Sequence, residues 1–409
     1  MLEKLGKSGD LTNMKKKMLI VYDAMITGGT TTGIIPFLKI LSPVYDVDFL
    51  LYRNDGEHMD DITDSVTLLP EARISKRDIS ALDTIMMIIA AIKSAIRYMA
   101  LTKRRDIGEM KKSVMSEVSL VGLSRNIAKE YDIAIGFIEG WADKFVACRV
   151  KANKKIAWIH AQIDYVAPQP RLEYNWMSRI DKFVFVTESN KDRFDLLFPG
   201  YSSKSDVCEN IIDAECIVSK SQMIPDDESY DFFAGFNGLK IITVCRLTEN
   251  IKGIDRIVRF AKILKTNGTK FRWCVLGDGK DRSSIKKQIE ENNIEDCLFL
   301  LGNMSNPFPY VKAADVFVLL SRFEGKPICI TESLIIGTPA IVTNYPSANE
   351  QIICGYNGII IDNSEEAINL FSVEFAQGKY DIKELKGNLL KNPFEMQDPI
   401  SNILKVIED

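Results

Sequence analysis

The sequence lacks several patterns that would assign it to a simple class. Its eight cysteines are scattered and none forms a C-x-x-C pair, which argues against a zinc ribbon and against a disulfide framework. Free thiols in a reducing cytoplasm account for them most simply, so we expect a cytoplasmic protein. No signal peptide is recognisable, and the longest uninterrupted apolar run, residues 84–92, is too short to span a bilayer.

Other absences concern partners and metals. The net charge is −4, so no overall basic field draws the chain to nucleic acid, and we expect no nucleic-acid partner. The acidic stretch DDITD, residues 60–64, lies in a polar segment and not at the end of a buried strand. It is predicted to be a solvated loop, and no metal site is expected. No short repeat or low-complexity segment is present.

The composition that remains is that of an ordinary soluble globular protein. The chain has 409 residues, of which 46% are hydrophobic and 26% charged, enough for two domains with full cores. Short apolar runs alternate with amphipathic helices, which predicts parallel sheets with crossover helices. The predicted strands are KKMLIVYDA, DVDFLLY, DIAIGFI, KKIAWIH, KFVFVT, SDVCENI, LKIITVCRL, FRWCVLG, LFLLG, DVFVLLS, TPAIVTN and NGIIID.

This alternation predicts an α/β protein made of two Rossmann-like doubly wound domains that face a central cleft. The regular pattern lapses after residue 212 and resumes at 239. We predict an N-terminal acceptor-binding domain over 1–212, an interdomain connection over 213–238 and a C-terminal nucleotide-sugar domain over 239–385. A helical tail over 386–409 is expected to pack back on the N-terminal domain.

The segment 84–105 allows two interpretations. It predicts a helix with apolar faces and a basic end, because IKSAIRYMALTKRR follows the apolar run. It is either a packed helix whose cationic end complements the helix dipole, or a surface that contacts membrane lipid or a lipid-linked substrate. The oligomeric state is open.

Two cations suggest an anion site in the second half. In CRLTENIKG, Arg246 ends a predicted strand and Lys252 precedes the next helix. A guanidinium can bind phosphate oxygens bidentately, and the amides of a helix N-terminus add partial positive charge. Taken alone, the pair is equally consistent with two surface cations on a loop.

Two glutamates follow a later buried strand in the stretch EGKPICITE. Gly325 would let the backbone approach a ligand closely, and Pro327 leads into a helix whose first amides can face an anion. Glu332 in that helix could accept hydrogen bonds from a ribose diol, and Glu324 in the turn could contact sugar hydroxyls. The alternative is one solvated first-turn acid and one incidental acid.

This stretch resembles the E-x7-E signature of family 4 glycosyltransferases with the GT-B fold. The following SLIIGTPAIVTN is similar to the family's continuation, and Arg246 and Lys252 occupy its diphosphate-binding positions. VLGDGKDRSSIKK and LLGNMSNPFPYVKAADVFVLLS resemble neighbouring elements of the family. The resemblance covers nearly the whole chain and is most specific over 240–345.

The first half resembles the family more loosely. TGGTTTG, with Gly28 and Gly29, matches the glycine loop near the sugar and the acceptor, although an ordinary tight turn explains it too. His160 in AWIHAQID matches a histidine that reaches the transferred sugar, but a lone histidine can also be structural. Lys326 departs from the Phe–Gly common in the family; it could contact a phosphate or an acidic acceptor, or be solvated.

The resemblance implies a retaining hexosyltransferase that needs no metal or other cofactor. It would move a sugar from a nucleotide-diphosphate sugar, with a UDP-sugar favoured, to a hydroxyl of a glycan or lipid-linked acceptor in polysaccharide biosynthesis. The basic segment 84–105 and the cysteines lead us to expect a cytoplasmic protein at the inner face of the membrane. The implied catalytic residues are Glu324, His160, Arg246 and Lys252. The implied donor contacts are Gly28, Gly29, Arg246, Lys252, Gly277, Asn303, Met304, Glu324, Gly325, Lys326, Pro327, Ile328, Cys329 and Glu332.

Three other functions are compatible with Rossmann-like domains. A nicotinamide-dependent oxidoreductase would need G-x-G-x-x-G after a strand, but GDGKDR has two of its glycines and GGTTTG has the wrong spacing. A sugar-nucleotide epimerase shares the GT-B fold but is not expected to use a lipid-facing helix. A non-catalytic nucleotide-sugar-binding protein of the periplasmic type would require export.

Overall fold

The structure, a computed structural model, describes residues 15–26, 28–74, 79–101, 110–111, 114–115, 124, 127–166, 176–223, 232–392, 394 and 399–409. The chain forms two compact units. The first comprises Met1–Ile159, Val166–Val184 and Ser203–Asp206, and the second His160–Tyr165, Phe185–Ser202 and Val207–Asp409. The domain boundaries predicted from the sequence stay predictions.

The first half of the chain contains a seven-stranded sheet in the order β3-β2-β1-β4-β5-β6-β7. Its strands are β1 (Lys17–Tyr22), β2 (Asp46–Leu51), β3 (Thr67–Leu68), β4 (Glu130–Gly136), β5 (Lys151–Ile159), β6 (Lys182–Phe185) and β7 (Ser205–Val207). The pairings of β1 with β2 and β4 are parallel. The helices are α1 (Gly29–Leu41), α2 (Ala81–Leu101), α3 (Trp141–Arg149), α4 (Ile163–Val166), α5 (Glu188–Leu197) and α6 (Ala214–Ser221).

The second half contains a six-stranded parallel sheet in the order β10-β9-β8-β11-β12-β13. Its strands are β8 (Leu239–Val244), β9 (Phe271–Leu276), β10 (Leu298–Gly302), β11 (Val316–Leu319), β12 (Ala340–Thr343) and β13 (Gly358–Ile361). The helices are α7 (Glu249–Lys252), α8 (Ile254–Thr266), α9 (Arg282–Glu291), α10 (Phe308–Ala313), α11 (Ile328–Ile336), α12 (Ala348–Gln351), α13 (Glu365–Ala376), α14 (Ile382–Lys391) and α15 (Pro399–Glu408).

Alternating side chains of the second sheet enter two separate cores. Val316 and Val318 of β11 pack with α8, α9 and α13, whereas Phe317 and Leu319 pack with α10, α11 and α14. Because successive strand residues point to opposite faces, a strand that is apolar throughout is covered on both sides. This explains why these strands could be identified as uninterrupted apolar runs.

Each sheet contains one point where the strand order reverses. In the second sheet it lies between β8 and β11, so the loops that follow these two strands, residues 245–253 and 320–327, flank it. In the first sheet it lies between β1 and β4, beside the loop that contains Gly28. In open α/β sheets, ligands bind outside the carboxyl ends of strands at such points.

The twelve predicted strands are all present, and the predicted α/β class is confirmed. The two-residue strand β3 was not predicted, because two exposed residues carry no periodicity. Within the predicted connection 213–238, residues Ala214–Ser221 form α6, and 224–231 lie outside the described residues. The tail contains α15, in which the Asn402 side chain donates a 3.4 Å hydrogen bond to the Val207 carbonyl oxygen.

The expectation that residues 84–92 are too short to span a bilayer is wrong for the helix that contains them. α2 has 21 residues with a mean hydropathy of 1.6 and is long and apolar enough to cross a membrane, by length and composition alone. Core helices and signal sequences pass the same test. The run of consecutive apolar residues is shorter than the helix, because Lys93, Ser94 and Arg97 interrupt the run without ending the helix. The basic residues 103–105 lie outside the described residues.

Candidate functional site

Arg246 and Lys252 lie in one loop at the carboxyl end of β8. Arg246 is exposed and makes no ion pair with the described part of the chain. Lys252 ends α7, the single turn Glu249–Lys252, and Gly253 follows in the left-handed conformation with φ 62°. A Cβ on Gly253 would lie 2.2 Å from the Leu320 carbonyl oxygen, so glycine lets this loop pack directly on the end of β11.

Lys252 is paired with Glu324 across the point where the strand order reverses. Its Nζ lies 2.7 Å from Glu324 Oε1, which also accepts a 2.6 Å hydrogen bond from Ser321 Oγ. The side chains are 23% and 7% exposed, so the pair is largely withdrawn from water. Burial alone would lower the pKa of Lys252, but the attraction of Glu324 outweighs it and raises that pKa. Lys252 is therefore a permanent cation here.

Gly325 contacts the segment that follows β5. A Cβ on Gly325 would lie 2.0 Å from the carbonyl oxygen of His160, a separation that no side chain permits. Ser347 Oγ donates a hydrogen bond to the carbonyl oxygen of Gly325. Both contacts hold the turn against other residues of the same unit. Close packing therefore requires a glycine at position 325, in addition to the ligand approach that the sequence suggested.

α11 begins directly after this turn. Pro327 is its N-cap residue, and Gln351 Nε2 donates to the Pro327 carbonyl oxygen at 3.0 Å. The amides of Ile328 and Cys329 fall in the first turn, where helix geometry provides no intrahelical acceptor. Two amides beside Lys252 can bind one anion.

Glu332 lies one turn further along α11 in a half-buried position. Burial raises the pKa of its carboxyl to about 7, and only the charge of Lys220 opposes this effect. A buried carboxylate with so little opposing positive charge destabilises the fold. Such a position suits a group that accepts hydrogen bonds from the hydroxyls of a ligand.

Two cysteines lie near the Lys252–Glu324 pair. Burial raises the pKa of Cys245 to about 12, and it raises that of Cys329 well above the ordinary thiol value. Both groups are therefore thiols at neutral pH and lack the thiolate that a nucleophile requires. A covalent mechanism through sulfur is not supported.

Gly277, Asn303 and Met304 follow the two strands on the other side of β8. Gly277 has φ 126°, and a Cβ there would lie 2.0 Å from the Cys245 carbonyl oxygen. Its amide donates a 2.7 Å hydrogen bond to Gly302, which joins the ends of β9 and β10. Asn303 is exposed and Met304 is half-buried. These residues lie on the same sheet edge as Arg246.

Lys326 is half-buried and His160 is buried. The Lys326 side chain is 9% exposed, and its Nζ lies 2.7 Å from Glu209 Oε1 and 4.0 Å from Glu350 Oε2. The Lys326 ammonium group is therefore paired with protein carboxylates and is not simply solvated. A phosphate would have to compete with these two carboxylates for the ammonium group. His160 follows β5 and is 7% exposed. Gly28 is the N-cap of α1 with φ 172°, extended backbone that any residue adopts, and Gly29 is the first residue of that helix.

A small cavity adjoins Glu324 and Gly325 within the second unit. Its volume is about 200 Å³, and Arg193 on its wall forms a bidentate pair with Asp164. The other residues that line it are Gln162, Thr187, Ser189, Asn190 and Pro346. Sequence analysis did not assign these residues to a site. Gln162 and Asp164 lie in the stretch AWIHAQID, but His160 was the residue of that stretch that resembled the family. The polar, partly paired side chains suit a sugar, whose hydroxyls both donate and accept.

Comparison with known proteins matches the second half of the chain to one family. Residues 231–371 match the profile of the family described as glycosyl transferases group 1. An uncharacterised glycosyltransferase of Methanocaldococcus jannaschii is 25% identical over 184 residues, covering 45% of each chain. The amylovoran biosynthesis glycosyltransferase AmsK of Erwinia amylovora is 28% identical over 153 residues, 35% of this chain and 37% of the relative. These matches span less than half of the relatives' own length.

Solved structures resemble nearly the whole fold. A glycosyltransferase from Rickettsia africae has a TM-score of 0.62 and 15% identity, covering 96% of this chain and 98% of that one. Anabaena HepE in complex with UDP has a TM-score of 0.57 and 15% identity, covering 92% and 98%. At such identities the likeness establishes the fold alone, and it confirms the predicted architecture of GT-B glycosyltransferases.

Proposed function

We propose that the chain is a hexosyltransferase, on the premise that residues 231–371 match the profile of the family described as glycosyl transferases group 1. It transfers a sugar from a nucleotide-diphosphate sugar to a hydroxyl of a glycan or lipid-linked acceptor, with retention of configuration, in polysaccharide biosynthesis. The observation that carries this proposal is the Lys252–Glu324 pair beside the first turn of α11, at the strand-order reversal of the sheet. One cation, two amides and one carboxylate there can bind a phosphate and a sugar together.

The proposed chemistry depends on stabilising the leaving group. As the bond from the sugar to the diphosphate breaks, negative charge grows on the phosphate beside Lys252, Arg246 and the α11 amides. Each such contact lowers the barrier by about 2–4 kcal/mol, by analogy with a single oxyanion-hole donor. Since these groups supply the positive charge, we propose that no metal is required. Glu332 would hold the ribose, and Glu324 and His160 the donor sugar.

A UDP-sugar is the proposed donor. Anabaena HepE, of similar fold, is described in complex with UDP, which favours uridine over other bases. The base would lie at Gly277, Asn303 and Met304, because these residues share the sheet edge with Arg246. A thermal-shift comparison of UDP with ADP, GDP and CDP tests this choice, and equal shifts by all four would contradict it.

A membrane-bound acceptor is supported by α2. The buried residues of this helix are Ser94 and Tyr98, whereas many of its large aliphatic side chains point outward. Leu82 is 68% exposed, Ile96 57% and Met99 59%. An exposed face of large aliphatic side chains suits a helix that inserts its outer face into lipid. We propose that the protein works at the cytoplasmic face of a membrane.

Substitution of the two cations tests the transferase proposal. Arg246→Ala and Lys252→Ala are each expected to lower kcat/KM for a UDP-sugar by about 10²–10³-fold, because each removes one charge from the leaving phosphate. UDP release is the measurement, and circular dichroism checks the fold. Lys240→Ala is a control on the same strand, before β8 reaches the site. Unchanged turnover in both variants would contradict the phosphate assignment, and interconversion of sugar epimers without transfer would favour the epimerase.

A further inference from the structure

The two loops that carry Lys252 and Glu324 are joined by Arg322. Its guanidinium forms a fork on the Asp255 carboxylate, with Nη1–Oδ1 and Nη2–Oδ2 distances of 2.7 Å each. Nη1 also donates to the Glu249 carbonyl oxygen at 3.0 Å, and the Arg322 amide donates to the Ile251 carbonyl oxygen at 2.8 Å. Glu249 and Ile251 belong to α7, the turn that ends in Lys252.

This interaction is stronger than an ordinary surface ion pair. The side chains of Arg322 and Asp255 are 26% and 15% exposed. The hydrogen bond to Asp255 raises the pKa of Arg322. Burial alone would raise the pKa of Asp255, but the hydrogen bond and charge of Arg322 overcome this and lower it. A bidentate fork also fixes orientation, which a lysine in the same place would not do.

The loop that carries Arg322 is held from a second side. Arg256, 3% exposed, donates from Nη1 to the Leu320 carbonyl oxygen at 3.1 Å, and Asn363 Nδ2 donates to the Arg322 carbonyl oxygen at 3.1 Å. The backbone on both sides of Arg322 is thus fixed while its side chain grips α7. The separation of Lys252 from Glu324 follows from these contacts.

We propose that Arg322 is a positioning residue for the donor site, whose fork on Asp255 holds Lys252 at the distance from Glu324 that transfer requires. Arg322 itself touches no donor. The inference rests on the proposed transferase function, which assigns Lys252 to the phosphate and Glu324 to the sugar. A misplacement of about 1 Å can lower a rate 10²-fold, because reacting groups must be aligned before the bond breaks.

The test compares Arg322→Ala and Arg322→Lys with Arg259→Ala. Arg259 bonds the same Asp255 at 3.0 Å and also pairs with Glu365, which Arg322 contacts as well at 3.2 Å. Among the described residues, however, no hydrogen bond or ion pair joins Arg259 to α7 or to residues 320–324. UDP release from UDP-glucose, UDP-galactose and UDP-N-acetylglucosamine gives kcat and KM, and calorimetry gives the Kd of UDP. Arg322→Ala is expected to lower kcat at least tenfold while KM changes less than threefold, because the misaligned charge matters most in the transition state.

Arg322→Lys retains the charge without the fork and should stay within threefold of Arg322→Ala. Millimolar methylguanidine should raise kcat of Arg322→Ala at least threefold and leave Arg259→Ala unchanged. Arg259→Ala should keep kcat within threefold of the wild-type value. If Arg322→Ala does not fold, Asp255→Asn, which preserves shape but weakens the fork, should show the same fall in kcat with an unchanged circular dichroism spectrum.

Two results would overturn the inference alone: a wild-type kcat in Arg322→Ala, or an equal loss in Arg259→Ala. The second result would show that kcat depends on neutralising the charges of Asp255 and Glu365 and not on the bidentate fork of Arg322. A wild-type protein that releases UDP from none of the three donors would overturn the proposed function and this inference with it.

Discussion

At neutral pH the carboxyl of Glu332 is close to the midpoint of its ionisation, because burial raises its pKa to about 7. The native state therefore binds more protons than the unfolded chain between the ordinary glutamate value, 4.5, and about pH 7. The contribution of this group to stability is fully present below the ordinary value and is lost as the pH rises through the folded pKa. The loss amounts to at most ~3 kcal/mol at 1.36 kcal/mol per pKa unit.

Glu332→Gln should consequently raise the melting temperature at pH 8 and have little effect at pH 5. The amide cannot ionise, so the penalty for a buried charge disappears. Differential scanning fluorimetry at both values measures the difference. Glu290→Gln, at an exposed position of α9, is the control and should change neither. A melting temperature lowered equally at both values would mean that Glu332 has no buried charge to relieve.

The same substitution should weaken UDP binding if Glu332 holds the ribose. A charged acceptor contributes about 1.5–3 kcal/mol to a hydrogen bond, so a loss of about tenfold or more in affinity is expected. The wild-type affinity should also fall as the pH drops below about 7, since the neutral acid is a poorer acceptor. A Glu332→Gln protein that is more stable but binds UDP more weakly would show that Glu332 serves ligand binding at the expense of stability.

At the scale of elements, α2 is the helix whose side chains contradict the usual distribution. Its mean hydropathy over one window is 1.6, yet only 17% of that window is buried. A helix of a soluble core has its large aliphatic side chains inside, because their burial stabilises the fold. In α2 only Ser94 and Tyr98 are buried, and the large aliphatic side chains are exposed. We propose that lipid covers these exposed side chains.

Replacing Ile88 and Ile92 together by serine should reduce binding to anionic phosphatidylglycerol vesicles at least tenfold. Both side chains are 55% exposed, so their removal should leave the melting temperature unchanged. Sedimentation with vesicles measures the partition. Leu196→Ser is the matched control, since Leu196 is 71% exposed on α5 and should affect neither property. Equal vesicle binding by all three proteins would exclude α2 as the lipid contact.

At the scale of the whole molecule, the residues that we propose to bind the donor are divided unequally between the two units. Arg246, Lys252, Glu324 and Glu332 all belong to the second unit, whereas Gly28 and Gly29 belong to the first. A ligand stabilises only the unit that binds it. Chains of two units need not unfold in a single step, so calorimetry can distinguish them.

UDP at a hundred times its Kd should therefore stabilise the second unit by about 2.7 kcal/mol. Scanning calorimetry should show that one transition moves upward while any separate transition of the first unit stays in place. Lys252→Ala should reduce the shift at the same UDP concentration, because fewer molecules are bound. No shift with any nucleoside diphosphate would contradict the donor site as a whole.

The sequence by itself determined the fold class and revealed the E-x7-E motif that we propose for the donor site. Twelve strands could be predicted because buried parallel strands are continuous apolar runs, and the E-x7-E spacing of Glu324 and Glu332 lies within one local stretch. Local patterns survive in the sequence because neighbouring residues share one element. The role of each glutamate stays a prediction.

Only the tertiary structure decided which groups meet. Three interactions join residues far apart in the chain: the pairing of Lys252 with Glu324, the fork of Arg322 on Asp255 and the ion pair of Lys326 with Glu209. The sequence likewise could not predict which side chains of α2 are exposed, because the type of an apolar residue does not show whether it is buried or exposed. Strand order brings the carboxyl ends of β8 and β11 together, and no local periodicity records that order.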